Sequence, residues 1–465
     1  MHRLPISTVA DAHSHIHRSK SALAMISQAR RAFVSPLIVC STSLSDWEDV
    51  STLSSSFPDL IIPNYGVHPW WSSTVTSISI LSELLETKLL SSPEASCGEI
   101  GLDMSPRGLN ASSLEQQLLV FKAQLKVALK LKRSISIHCV QAYGPFLTAI
   151  IELEKEDGVS NSTGILMHSF AGTCGFANQL LTQRKISNSP LLFSFNGNCV
   201  ASAANIYDEL QTYSRSSLTT SLSIPLPLPE PIPESLTPKV FKARGLSKDS
   251  LKVLQRLPLS HLCFETDSPD QPFLHHISSG YLNWCREIFG KDIDIEKEED
   301  DELGLKAEKV STCCSASRDE GVITETETIE MEKSTTETIM ITEKTDVVSK
   351  QRRTLVGDGS GSLQDYLQRE QESKENRPVL VRHVLRAAAI LRFSYGSQID
   401  GLPLQQKPGK ALLEDIERKS LAPGLDFLSL EPETVPDCIK EGLINEYNLL
   451  KKAASKNVKE MFLQG

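Results

Sequence analysis

Two histidines stand two residues apart at the end of the first apolar run of the sequence, in Asp11-Ala12-His13-Ser14-His15. Side chains alternate between the two faces of a β-strand, so residues 11, 13 and 15 are expected to share one face. Imidazoles on one face could bind the same ion, which makes His13 and His15 a candidate metal-binding pair. A polar, His-rich turn is the alternative interpretation.

A glutamate lies inside another apolar run, in Cys97-Gly98-Glu99-Ile100-Gly101. A buried charge without a partner is costly, so the Glu99 carboxylate must face a cation or a metal ion. Its two oxygens could bridge two ions. An ion pair with Lys or Arg is the alternative.

The next two apolar runs both end in histidine, and the last run ends close to an aspartate. His138 ends residues 134–138, His168 ends residues 164–168, and Asp267 follows residues 261–265. One oxygen of Asp267 could hold a metal while the other accepts a proton from water. The alternative role for Asp267 is to cap a helix.

A further histidine follows the third apolar run, in Tyr65-Gly66-Val67-His68-Pro69. A histidine at the end of a strand is well placed to donate a hydrogen bond to a substrate anion, since binding residues concentrate in the loops after strands. The alternative for His68 is a packed side chain beside Trp70 and Trp71.

Short apolar runs followed by helical patterns repeat along the chain. There are eight such runs: 5–11, 36–41, 60–66, 95–100, 134–138, 164–168, 191–196 and 261–265. Eight β/α units predict an α/β fold of the (β/α)8 TIM-barrel type, with a doubly wound open sheet as the alternative.

A barrel would bring the ends of its strands together at one rim. We therefore expect two divalent ions about 3.5–4 Å apart, bridged by Glu99. Mg²⁺ or Mn²⁺ is expected, with Zn²⁺ as an alternative. The predicted ligands are His13, His15, Glu99, His138, His168 and Asp267.

Composition divides the chain into three parts. We expect a hydrolase barrel over residues 1–292 with a proline-rich loop at 224–238, an acidic insertion at 293–375, and helices at 376–465 that complete the barrel domain. The insertion is rich in Thr, Glu and Ser and is predicted to be disordered, with an edge hairpin as the alternative. Protein partners are a hypothesis for this insertion.

The net charge of −10 is concentrated in one segment. Residues 292–346 hold 18 acidic and 6 basic residues, a local net charge of −12. The rest of the chain is nearly neutral, so a polyanionic substrate is compatible with it. Basic helical faces within 122–133 and 239–256 are candidate contacts to a DNA backbone, or are plain solvated faces.

The ten cysteines are dispersed, without a CxxC pair, which argues against a disulfide framework and favours a reducing compartment. No apolar run is long enough to span a membrane, and the first residues lack a secretory signal. We therefore expect a cytoplasmic protein that binds no membrane, with the nucleus as the alternative location.

The motifs together resemble the TatD family of metal-dependent deoxyribonucleases, within the amidohydrolase-like barrels. The residues that carry the resemblance are DAHSH, YGVHPWW, CGEIGLD, SISIHC, LMHSFAGT, FETDSPD and a late NRP. It implies a TIM barrel that hydrolyses phosphodiester bonds of DNA, often as a 3′–5′ exonuclease with Mg²⁺ or Mn²⁺. His13, His15, Glu99 and Asp267 would hold one metal.

In the same pattern, Glu99, His138 and His168 would hold the other metal, and His68 would lie beside the scissile phosphate. The chain departs from the family at Val140, where an Arg is usual. Met104 replaces a common aromatic residue, and His17 stands where an acidic residue is frequent. These departures concern the substrate rather than the metal ligands.

The principal hypothesis is a 3′–5′ exodeoxyribonuclease in which two ions activate water, with Glu99 and Asp267 as catalytic residues. One alternative is a hydrolase of a small amide, lactone or phosphoester on the same barrel. Another is a non-catalytic, metal-binding scaffold whose acidic insertion recruits partners.

Overall fold

The structure is a computed structural model that describes residues 8–153, 164–182, 190–221, 245–270, 277–290, 381–393 and 426–463. These residues all fall within one compact unit. The predicted proline-rich loop at 224–238 and acidic insertion at 293–375 lie outside the described residues, and both predictions stay predictions.

Eight parallel strands form one sheet in sequence order, β1 to β8. The two edge strands also meet, since Ser14 bridges Ser268 and the Asp267 N–H donates to the His13 carbonyl at 3.0 Å. The predicted (β/α)8 barrel is therefore confirmed over an open sheet. The strands are β1 Val9–Ser14, β2 Val34–Cys40, β3 Ile61–Tyr65, β4 Ser96–Asp103, β5 Ile135–Val140, β6 Ile165–Met167, β7 Leu191–Phe195 and β8 Leu262–Phe264.

Helices connect the strands and surround the barrel. The α-helices within the described residues are α1 Ala22–Arg31, α2 Trp47–Ser56, α3 Ile78–Ser91, α4 Pro106–Ala111, α5 Leu114–Lys130, α6 Tyr143–Leu153, α7 Cys174–Thr182, α8 Asn198–Ser221, α9 Lys248–Arg256, α10 Ser279–Phe289, α11 Val381–Phe393 and α12 Asp437–Phe462. None of these helices is both long and apolar enough to cross a membrane.

The last helix closes the end of the barrel at which the strands begin. Asn457 of α12 donates hydrogen bonds to the carbonyl of Leu262, where β8 starts, and to that of Leu259 just before it. Ser455 of α12 donates a hydrogen bond to the carbonyl of Thr8, just before β1. Apolar α12 side chains cluster with residues inside the barrel. The predicted C-terminal helices thus pack on the barrel.

The first strand differs from the sequence prediction. β1 runs to Ser14 instead of ending at Asp11, and its pairing with β2 shifts register between Asp11 and Ser14. Such a shift interrupts the simple alternation of side chains. The expectation that residues 11, 13 and 15 share one face is wrong for Asp11, whose carboxylate instead accepts hydrogen bonds from the N–H and hydroxyl of Thr266 at 2.9 and 2.6 Å.

Candidate metal centre

The carboxylate of Glu99 lies at the centre of a cluster of histidines at the rim where the strands end. Glu99 belongs to β4 and is 2% exposed. Its Oε2 is 3.3 Å from His13 Nε2 and 3.2 Å from His15 Nε2. Its Oε1 is 2.7 Å from His138 Nδ1 and 3.4 Å from His168 Nε2. The two oxygens therefore face two different groups of imidazoles.

The group at Oε2 is completed by Asp267. Asp267 Oδ1 lies 3.9 Å from His13 Nε2 and 3.5 Å from His15 Nε2, and those two nitrogens are 3.1 Å apart. Ligand atoms about 2.1 Å from one ion lie roughly 3.0–3.4 Å from each other in octahedral or tetrahedral geometry. The facing atoms of His13, His15 and Glu99 have this spacing, and Asp267 Oδ1 lies slightly farther from the two histidines.

The group at Oε1 contains His138 and His168, with His68 beside them. The His68 Nε2 lies 3.2 Å from His138 Nδ1 and 3.4 Å from Glu99 Oε1. The His168 ring lies 3.7 Å from the ring of His13, so the two groups are adjacent. All seven residues predicted from the sequence thus meet in one place.

Backbone contact between β4 and β5 holds this arrangement. Gly101 on β4 lies opposite His138 on β5. A Cβ at position 101 would collide with the carbonyl oxygen of His138, so only glycine permits the two strands to approach here.

The four predicted histidine ligands are oriented by groups on their far sides. The His13 Nδ1 lies 3.1 Å from the Ser136 hydroxyl, and the His15 Nδ1 lies 2.7 Å from the carbonyl oxygen of Cys40. His138 Nε2 is 3.4 Å from Asp103, and His168 Nδ1 is 2.9 Å from Glu265. In a neutral imidazole, an acceptor on the far nitrogen fixes the ring proton there and would leave a lone pair on the nitrogen that faces the site.

The sequence analysis did not predict the two carboxylates that orient His138 and His168, which are Asp103 and Glu265. Glu265 is fully buried and also accepts hydrogen bonds from the Ser194 hydroxyl and from the Ser169 N–H. The sequence contained a signal for Glu265, because this charged residue directly follows apolar residues, as Glu99 lies among them. The same argument about buried charge could have found it.

His68 has the opposite hydrogen-bonding pattern. Its Nδ1 accepts a hydrogen bond from the Trp70 N–H at 3.2 Å. Burial lowers the pKa of His68 to about 4, so the ring is neutral and carries one proton. That proton is therefore on Nε2, the nitrogen that faces the site. His68 accordingly presents a donor where the other four rings present a lone pair.

The two carboxylates of the site are held in their charged forms. Burial alone would raise the pKa of Glu99, but His68, His168 and His13 outweigh burial and hold the pKa well below its ordinary value. Burial likewise opposes the charge of Asp267, and the nearby histidines again lower its pKa. Negative charge beside imidazole nitrogens is the donor set that divalent metal ions bind.

The positions that depart from the TatD pattern surround this centre without entering either group. Val140 ends β5 two residues after His138. His17 Nε2 lies 3.4 Å from Asp46 Oδ2. Neither residue is among the groups of side chains close enough to share an ion within the described residues.

The fold is a (β/α)8 barrel, and the cluster at its rim is a candidate metal site of the kind found in metal-dependent hydrolases. Comparison with known proteins narrows the class. Residues 10–220 match the family model described as TatD related DNase. Over these residues, which are less than half of the chain, the sequence is similar to the TatD-related family.

Individual relatives are distant. The chain is 25% identical over 247 residues to the Cut9-interacting protein scn1 of Schizosaccharomyces pombe, covering 36% of this chain and 72% of that protein. It is 28% identical over 149 residues to the 3′-5′ ssDNA/RNA exonuclease TatD of Edwardsiella piscicida, covering 32% of this chain and 54% of that protein. For the exonuclease of the same name from Pantoea vagans, the identity is 30% over 150 residues, with coverages of 32% and 54%.

The chain therefore matches about half the length of these two bacterial exonucleases. A solved structure of a TatD homologue from Escherichia coli is 19% identical, with a TM-score of 0.41, covering 58% of this chain and 84% of that one.

Proposed function

We propose that the protein hydrolyses phosphodiester bonds of DNA, removing nucleotides in the 3′–5′ direction with two divalent metal ions. One observation carries the proposal: the two oxygens of Glu99 face different histidines, His13 and His15 at one oxygen and His138 and His168 at the other. The name of the bacterial relatives, 3′-5′ ssDNA/RNA exonuclease, supports the substrate and the direction.

His13, His15, Asp267 and the Oε2 of Glu99 would hold one ion. His138, His168 and the Oε1 of Glu99 would hold the other. Two such ions polarise the phosphate, lower the pKa of water and stabilise charge on the leaving oxygen. Mg²⁺ or Mn²⁺ is the proposed metal, with Zn²⁺ as the alternative that imidazole ligands also suit.

Asp267 is the proposed proton acceptor. Its side chain is 13% exposed, compared with 3% for Glu99, so it is the carboxylate of the site that reaches toward solvent at the rim. Its lowered pKa keeps it charged and able to take a proton from the attacking water.

His68 is the proposed contact to the substrate. The Nε2–H of a neutral imidazole donates a hydrogen bond without competing for a metal ion. A non-bridging phosphate oxygen placed between the two groups would accept it. This donor would help to orient the phosphate and to stabilise the charge that develops on it.

The direct experiment incubates the purified chain with single-stranded DNA labelled at the 5′ end, in Mg²⁺ or Mn²⁺. We expect a ladder of products shortened from the 3′ end. Glu99→Ala should lower the rate on the order of 10³-fold or more, because it removes a ligand from both groups. The control is Glu115→Ala, at an exposed glutamate of α5.

Equal activity of the Glu99→Ala and Glu115→Ala proteins would reject this site. RNA of the same sequence should be tested in parallel, because the bacterial relatives are named as exonucleases of both single-stranded DNA and RNA. Turnover of small amides, lactones or phosphoesters, with no cleavage of DNA or RNA, would favour the alternative substrate class.

A further inference from the structure

Val140, an uncharged residue, ends β5 at the rim of the barrel. Side chains of a strand alternate, so Val140 points to the same side of β5 as His138. Val140 also lies opposite Asp103 in the register of β4 and β5. An arginine at position 140 would therefore reach into the mouth beside Asp103, and valine leaves this place without positive charge.

The basic face predicted on α5 does not supply a free cation near this place. Lys122 is paired with Glu152, and Lys130 with Glu86. Lys130 is the last residue of α5, at the end of the helix that leads back to the start of β5. That end of the barrel is opposite to the rim where the metal ligands meet.

An arginine at the start of α4 stacks on the indole ring that is hydrogen-bonded to Asp103. The guanidinium carbon of Arg107, the second residue of α4, is 3.7 Å from the centre of the Trp70 ring. The Trp70 Nε1–H donates to Asp103 Oδ2 at 2.6 Å. The Trp70 ring also lies 4.7 Å from the ring of His68. One indole ring thus spans the distance between His68 and Arg107.

The loop that carries Arg107 is held firmly. Asp103 Oδ1 accepts a hydrogen bond from the Ser105 N–H at 2.8 Å, and the buried Gln117 donates to the carbonyls of Asp103 and Ser112 at 3.1 and 2.9 Å. A Cβ at Gly108 would collide with Asp103, so this glycine lets the loop pack directly against β4. The position of Arg107 is fixed by the strand that also positions Glu99.

The charge of Arg107 is available to a ligand. The side chain is exposed, and within the part of the chain that the structure describes it pairs with no carboxylate. Stacking on an indole leaves the edge of the guanidinium free to donate, and this fork of donors matches two oxygens of a phosphate. Stacking on Trp70 also limits the number of conformations of the Arg107 side chain before any substrate is bound.

We propose that Arg107 binds a backbone phosphate of the nucleic-acid substrate, the one next to the phosphate that is cleaved. This inference rests on the proposed function. Arg107 is a substrate-positioning residue, separated from the metal ligands by Trp70. Its contribution belongs to binding more than to the chemical step.

The test compares Arg107→Ala with the unchanged chain, both loaded with Mg²⁺. Binding is followed by the fluorescence anisotropy of a labelled single-stranded phosphorothioate oligonucleotide, which keeps its charges and resists hydrolysis. We expect Kd to rise about 10-fold, since a hydrogen-bonded charge contact is lost. The slope of log Kd against log salt should fall by about 0.7, the value for one contact to a single-stranded phosphate.

Steady-state cleavage of ordinary single-stranded DNA gives a second readout. We expect KM to rise about as much as Kd while kcat changes less than about twofold. Arg107→Lys should bind more tightly than Arg107→Ala but more weakly than the unchanged chain, because lysine keeps the positive charge and lacks the paired N–H donors of the guanidinium. Adding Val140→Arg to Arg107→Ala should also restore affinity.

The matched control is Arg31→Ala, an exposed arginine that ends α1 at the opposite end of the barrel. It should leave Kd and the salt slope unchanged. An Arg107→Ala protein with unchanged affinity, or with weaker affinity but an unchanged salt slope, would overturn the phosphate contact. If the unchanged chain neither binds nor cleaves the oligonucleotides, the proposed function itself fails.

Discussion

At the scale of single residues, the site is organised by which ring nitrogen carries a proton. Four imidazoles, those of His13, His15, His138 and His168, have an acceptor on the far side. His68 instead accepts a hydrogen bond there. Five histidines at similar distances from one carboxylate thereby divide into four proposed ligands and one proposed donor.

This division predicts different effects of two alanine substitutions. His138→Ala should lose one of the two bound ions, because it removes a ligand. His68→Ala should keep both ions while the cleavage rate falls about 100-fold, the typical loss for one removed donor to a reacting anion. Metal content measured by elemental mass spectrometry after gel filtration gives the comparison. A His68→Ala protein that retains only one ion would show that His68 is a ligand.

At the scale of elements, α12 closes the barrel at the end opposite to the site. Three of its side chains, Val458, Met461 and Phe462, are buried in a cluster with residues that point into the barrel. The members contributed by the strands are Ala10, Ala12, Ile38, Cys40, Ile62, Leu166, Leu192 and Cys263. The lower layer of the barrel is thus completed by a helix from the far end of the chain.

Removing one of these side chains should therefore destabilise the barrel. Met461 is 1% exposed, so Met461→Ala is expected to lower the free energy of unfolding by about 2–5 kcal/mol through lost burial and a cavity. Urea unfolding followed by tryptophan fluorescence measures this loss. Lys452→Ala, at an exposed position of the same helix, should change stability by less than about 0.5 kcal/mol. Similar stabilities of the two variants would show that α12 does not support the barrel.

At the scale of the whole molecule, a buried ion pair joins three helices from distant parts of the sequence. The Arg392 Nε of α11 lies 2.8 Å from Glu446 Oε1 of α12, and both side chains are less than 10% exposed. Arg392 also donates to the carbonyls of Leu254 and Leu257 at the end of α9. The helices after residue 376 are tied through this pair to the barrel that precedes the insertion.

Breaking this pair should be costly because it leaves an uncompensated charge in the interior. Glu446→Ala is expected to lower the free energy of unfolding by about 3–5 kcal/mol. Glu441→Ala, at an exposed glutamate of the same helix, is the control. Thermal unfolding of the two variants beside the unchanged chain measures the difference. A Glu446→Ala protein as stable as the control would contradict a supporting role for the pair.

The periodicity of the sequence was sufficient to predict the barrel, and strand β2 shows why. Residues 36–40 form an uninterrupted apolar run, and the strand found is Val34–Cys40. A buried parallel strand is apolar on both faces, so local composition reveals it. The last residue of strand β1 was less predictable, because the end of this strand depends on its pairing with β2, where the register shifts, and on the bridge between Ser14 and Ser268.

The sequence by itself determined the types of the candidate metal ligands, their order on the strands and the rim at which they meet, since strands of a parallel barrel all end on one side. Only the tertiary structure decided which oxygen of Glu99 faces which histidines, that Asp11 lies outside the site, and that His68 presents a proton. It also placed Arg107 over Trp70 beside the strand that ends in Val140. These features depend on contacts between residues far apart in the chain, and such contacts leave no periodic signal in the sequence.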